Sequence, residues 1–103
     1  MTKLESTFQK EVIDEVKKLF PGCMVIKNDP NYIQGFPDLT IFYNSRWAVL
    51  EVKKNKNASH QPNQDYYVDK LNKMGFCDFI YPENKDKVLN NLYYYFCLKG
   101  GRL

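Results

Sequence analysis

The sequence predicts an α/β fold, with a mixed central β-sheet of about four strands flanked by helices. Three observations carry that expectation. Apolar residues recur at helical spacing over residues 4–20. Two β-rich segments, 38–43 and 46–53, are separated by only Asn44-Ser45. From residue 63 onward a helical pattern, a strand and a second helical pattern follow one another. The expected order is helix, strand, strand, strand, helix, strand, helix.

Leu4, Phe8, Val12, Val16 and Leu19 or Phe20 give the first helix its apolar side, and Pro21-Gly22 stops it. Residues 23–26 (Cys-Met-Val-Ile) are a short apolar run with strand character. Residues 28–36 (NDPNYIQGF) are rich in turn formers and read as a loop. A two-residue separation between the next strands is the length of a tight hairpin, although Asn-Ser is a weaker turn signal than Asn-Gly. Residues 55–63 are polar and close with Pro62. The second helix is expected over residues 63–73, with Tyr67, Val68, Leu71 and Met74 on its apolar side and Gly75 as its C-terminal cap. A strand over 76–81 comes next. Pro82 then precedes a third helix over 85–97, carrying Val88, Leu89, Leu92, Tyr93 and Phe96.

With 103 residues the chain has room for one domain and one modest core, and the tail 98–103 is expected to fray. Hydrophobic residues at 44% and charged residues at 26% are the balance of a soluble globular protein, not of a disordered one. The net charge of +3 is small, so any nucleic-acid-binding surface must be local. No apolar run is long enough to span a membrane, and residues 1–10 lack the apolar core of a signal peptide. Cys23, Cys77 and Cys97 are widely spaced and form no zinc pattern, so reduced and mostly buried thiols in a cytosolic protein are expected.

The hairpin makes the sharpest statement about chemistry. If Asn44 and Ser45 are the turn, Tyr43 faces Arg46, and stepping back along both strands brings Asp38 opposite Glu51. Side chains alternate, so Thr40, Phe42, Trp47, Val49, Glu51 and Lys53 share the Asp38 face, while Leu39, Ile41, Ala48, Leu50 and Val52 form the core face. Directly opposed side chains have Cβ atoms about 4.5–5.5 Å apart, and like charges there are destabilising. A divalent cation turns that repulsion into attraction. Mg²⁺ suits the pair, since it prefers hard oxygens and usually takes one or two carboxylates plus substrate phosphate. The Val52 carbonyl can add a further oxygen. Lys53, two residues after Glu51, is placed to orient a nucleophile or to stabilise charge developing on a phosphate. The competing reading is a solvated Asp and Glu with a lysine counter-charge. A β-bulge near Val49 would also shift the register.

Pro37-Asp38 followed by Glu51-Val52-Lys53 resembles the signature of the PD-(D/E)XK nuclease superfamily. Within it the chain is most similar to the stand-alone, phage-type VRR-NUC domains, which resemble Holliday-junction resolvases. Residues 35–39 (Gly-Phe-Pro-Asp-Leu), 48–53 (Ala-Val-Leu-Glu-Val-Lys) and the helix opened by Gln64 carry the likeness, which spans residues 5–81. The resemblance implies a restriction-endonuclease-like core and a Mg²⁺-dependent endodeoxyribonuclease, with Mn²⁺ as substitute. It implies a homodimer acting on branched DNA such as four-way junctions, with no small-molecule cofactor and no membrane, in a bacterial or phage-infected cytoplasm. It also implies a metal-proximal glutamate in the first helix, with Glu5 the best match and Glu11 the runner-up. Gln64 carries over as a polar residue lining the site, with Gln61 as a substitute. The extra helical insertions of the family's fused members have no room in this chain.

Lys54 and Lys56 lie in a basic stretch after the second hairpin strand and are candidates for phosphate contacts, against a solvated loop. Gly35 either lets the backbone approach a phosphate or completes a turn. His60 reads as a surface residue without a role. Tyr93, Tyr94 and Tyr95 cannot all face one side of a helix, so one or two are expected at the surface as a dimer or partner contact. The alternatives to a junction nuclease are a non-catalytic nucleic-acid-binding module and a nicking or flap nuclease without junction preference.

Overall fold

The structure, a computed structural model, describes residues 4–98. Helix α1 (Glu5–Leu19) leads into strand β1 (Met24–Lys27), and a loop then reaches the hairpin β2 (Leu39–Tyr43) and β3 (Arg46–Val52). Helix α2 (Pro62–Met74), strand β4 (Phe76–Ile80) and helix α3 (Lys85–Tyr93) follow. The sheet runs β1-β2-β3-β4, antiparallel across its first two pairings and parallel between β3 and β4. Helix α2 is the crossover that a parallel pair requires. The α/β expectation and its element order hold.

The hairpin forms as its length dictates. Asn44 and Ser45 both take left-handed backbone, at φ 51° and 66°, the conformation that matches a two-residue turn to strand twist. The pairing runs unbroken from Tyr43 opposite Arg46 to Leu39 opposite Leu50, with no bulge at Val49. Leu39, Ile41, Ala48, Leu50 and Val52 are therefore all on the core face and fully buried. Phe8, Val12 and Val16 of α1 cover that face together with Val88, Leu89 and Leu92 of α3. Helix α2 lies on the opposite face against β3 and β4. There it buries Val49, Glu51 and Cys77, which have the opposite parity. The β1–β2 half of that face is left open, with Met24, Ile26 and Phe42 exposed.

Three local features depart from expectation. Helix α2 starts at Pro62 because Gln61 serves as its N-cap, with proline at a position that needs no amide hydrogen. Gly75 ends the helix in extended backbone at φ −165°, not in a left-handed cap. A Cβ there would stand 2.8 Å from Cζ2 of Trp47, so packing against the indole demands the glycine. The C-terminal helix is preceded by a 3₁₀ turn, Pro82–Asn84, and widens into a π-helix over Tyr94–Leu98. In that segment the Tyr95 hydroxyl donates to the Trp47 carbonyl at 2.9 Å, and the carbonyls of Tyr95 and Phe96 accept from Arg46 and Asn44. The irregular turn thus ties the chain end to the tip of the hairpin. Of the tail expected to fray, only Leu98 lies within the described residues, and it closes this π-helical segment.

Tyr93 and Tyr94 are exposed, and Tyr95 is half-buried. All three cysteines are free, with Cys77 buried and Cys23 and Cys97 half-buried. Among the described residues no helix is long and apolar enough to cross a membrane.

Candidate active site at the open end of the hairpin

Asp38 precedes β2 by one residue, and its position is fixed by Asn28. The Asn28 N–H donates to the Asp38 carbonyl at 2.8 Å, extending the β1–β2 pairing by one step. The Asn28 side-chain amide donates to the Pro37 carbonyl at 2.8 Å and to Thr40 Oγ1 at 2.9 Å. The Asp38 carboxylate reaches across the hairpin, where Oδ2 accepts the Val52 N–H at 2.8 Å.

Glu51 projects toward the same spot and is only 3% exposed. The two carboxyl groups are close enough for each to act on the other's proton affinity, through charge and side-chain hydrogen bonding. Burial raises both pKa values. For Glu51 the neighbouring Asp38 charge adds to burial, pushing it up to about 8. For Asp38 the Val52 N–H and the Lys53 charge work against burial without cancelling it. The solvated-carboxylate reading fails on this geometry.

Lys53 is only 7% exposed, so its ammonium must find acceptors inside the protein. It donates to the Ser59 carbonyl at 3.0 Å and to Gln64 Oε1 at 2.6 Å, and lies 3.9 Å from Glu51 Oε2. Gln64 completes the circuit by donating from Nε2 to Glu51 Oε2 at 3.1 Å. Its Oε1 also accepts the Gln61 N–H at 3.1 Å, so one amide caps α2 and bridges Glu51 to Lys53. Gln61, the substitute considered for it, serves the cap alone.

Glu5, at the first position of α1, is close enough for its charge to act on Glu51. Burial and Asp38 raise its own pKa. Glu11 stands instead among the acidic groups acting on Lys85 of α3. Among the described residues no group of three or more His, Cys, Asp or Glu converges on one point, so Glu5 does not join the acid pair as a third adjacent carboxylate. Lys54 and Lys56 are exposed, and the charge of Lys54 reaches Glu5. Gly35 takes φ 85° and packs on the start of α2, where a Cβ would fall 2.3 Å from that of Asn63. Here the turn and the packing account for the glycine.

Sequence reasoning missed Asn28, Thr40 and Ser59. Asn28 carries no signal distinguishing it from the other turn formers of its loop, and Ser59 acts through a main-chain carbonyl that any residue supplies. His60, given no role, is held by two contacts described below.

The acid pair fits a hard divalent cation. Two crowded carboxyl groups whose pKa values are both raised are relieved when a cation neutralises their charge. A pair of carboxylates leaves most of such an ion's coordination to water and a phosphate oxygen.

The fold has a counterpart among solved structures. One described as a VRR_NUC domain superposes with a TM-score of 0.71 at 25% sequence identity, covering 86% of this chain and 97% of that one. No family model matches the sequence. No curated protein matches it either.

Proposed function

We propose, from the premise that the chain is by its fold a VRR-NUC domain, that it is a single-domain, Mg²⁺-dependent endonuclease hydrolysing phosphodiester bonds in DNA. Mn²⁺ substitutes for Mg²⁺, and branched DNA such as a four-way junction is the preferred substrate. The observation that carries this reading is the buried Glu51 carboxyl beside the half-buried Asp38, with the ammonium of Lys53 held next to it. A binding module gains nothing from two acids that repel one another and a buried lysine that needs three neighbours.

In this mechanism Asp38, Glu51 and the Val52 carbonyl would hold the cation, with Glu5 assisting. Bound there, the cation supplies Lewis acidity toward the phosphoryl oxygen and lowers the pKa of a water. Glu51, whose carboxyl holds a proton up to about pH 8 in the metal-free chain, would act as a ligand in its ionised form. Asp38 keeps its aim because the Val52 N–H holds one oxygen and Asn28 fixes the backbone behind it. The Lys53 ammonium stabilises negative charge developing on the attacked phosphate, and helps to orient the nucleophile. Gln64 sets the distance between Lys53 and Glu51 and lines the site. Lys54 and Lys56 add sequence-independent phosphate contacts beside it. Two copies of the chain, each with one such site, would nick two strands of a junction.

The test is incubation with labelled junction, duplex and single-stranded DNA in Mg²⁺, Mn²⁺ or EDTA. Paired nicks on the junction that vanish in EDTA are the expected result. Binding without cutting in every metal would establish a non-catalytic module, and unpaired nicks a nuclease without junction preference.

A further inference from the structure

We infer that His60 is a positioning residue for Lys53, a role that rests on the nuclease reading above. The connection between β3 and α2 has little regular structure, yet it supplies the Ser59 carbonyl that accepts the Lys53 ammonium at 3.0 Å. A main-chain carbonyl in an irregular segment holds a charged group only if the segment itself is held. Residue 60 does this by two contacts of different kinds. Its imidazole stacks on the Phe79 ring, with centroids 4.2 Å apart and planes 20° apart. Its Nδ1 lies 2.9 Å from Asp65 Oδ1 in the first turn of α2.

The anchors are placed so that they act on the site. Phe79 is the register partner of Glu51 in the parallel β3–β4 pairing, so its ring and the Glu51 carboxylate stand side by side on the α2 face. Asp65 adjoins Gln64, the other acceptor of the Lys53 ammonium. His60 therefore links the strand beside Glu51 to the helix turn that carries Gln64, and Ser59 is fixed between them. Without the imidazole, the Ser59 carbonyl is free to swing toward water, and a lysine this deeply buried loses one of its two close acceptors. The ammonium then samples positions away from the acid pair. A displacement near 1 Å of a catalytic charge is costly, so a rate loss of about tenfold or more is expected.

The test compares the wild-type chain with His60→Ala and with His60→Asn, which keeps a donor for Asp65. Nitrogen-15 NMR of lysine ammonium groups, with the Lys53 signal assigned through Lys53→Arg, reports whether that ammonium is hydrogen-bonded and shielded from exchange. Single-turnover cleavage of junction DNA in Mg²⁺ gives the rate and the DNA and metal concentrations for half-saturation. The expected result is a protected Lys53 signal in the wild type, lost in His60→Ala and largely restored in His60→Asn. The cleavage rate should follow the same order, about tenfold down and partly recovered, with both half-saturation concentrations unchanged. A signal that persists in His60→Ala overturns the inference, as does a wild type with no protected signal or a lost signal with an unchanged rate. A wild-type chain that cuts no DNA would remove the nuclease reading instead, while the NMR comparison would still decide whether His60 holds Lys53.

Discussion

Protonation of Glu51 links the site to stability. Its carboxyl carries a pKa of about 8 in the folded chain against 4.5 ordinarily, so the folded state holds a proton that the unfolded state gives up. The stabilisation is complete below pH 4.5 and is lost as pH rises through about 8. The metal-free protein should therefore melt at progressively lower temperature between those limits. Added Mg²⁺ should restore the loss most strongly at the alkaline end, where no proton competes for the carboxylate. Thermal unfolding in EDTA and in Mg²⁺ across that range checks both. Asp38→Asn removes the repulsion while keeping an acceptor for the Val52 N–H. It should abolish cleavage and raise metal-free stability by on the order of 1 kcal/mol in denaturant titrations. Lys53→Ala should leave metal binding by calorimetry intact, because the ammonium is not a ligand. It should lower the cleavage rate by roughly a hundredfold or more.

The elements show where a sequence speaks clearly and where it does not. The hairpin was legible because its logic is discrete: a two-residue turn admits one register, and one register puts Asp38 opposite Glu51. The apolar stripe of α1 was equally plain, since Phe8, Val12 and Val16 repeat every four residues and are all buried. Features that depend on distant partners were not legible. Nothing near Gly75 reveals that an indole from β3 will lie against it, and nothing near Tyr94 announces a π-helical turn whose ties run to the hairpin tip. Ser59 and Asn28 belong to the same class, acting through main-chain groups or loop contacts that composition does not encode. The turn itself remains improvable. Ser45 sits at φ 66° with a Cβ that disfavours it, so Ser45→Gly should stabilise the chain by about 1 kcal/mol in equilibrium unfolding.

At the scale of the whole molecule, the two sheet edges are finished differently. On the outer edge of β4 the Cys77 N–H is taken by Asn72 Oδ1 and the Phe79 N–H by Asp78 Oδ1, while the Phe79 carbonyl accepts from Asn84. Side chains thus close that edge to a further strand. At β1 the neighbouring surface carries Met24, Ile26 and Phe42 in the open. The proposed homodimer predicts a sedimentation mass twice that of the chain at micromolar concentration, unchanged by EDTA. The amide of Gln64 has a consequence of its own. Because it both caps α2 and spans Glu51 and Lys53, the bridge between those two side chains forms only once the crossover between the parallel strands has docked. On the proposed reading, a chain whose crossover has not docked would therefore be inert toward DNA.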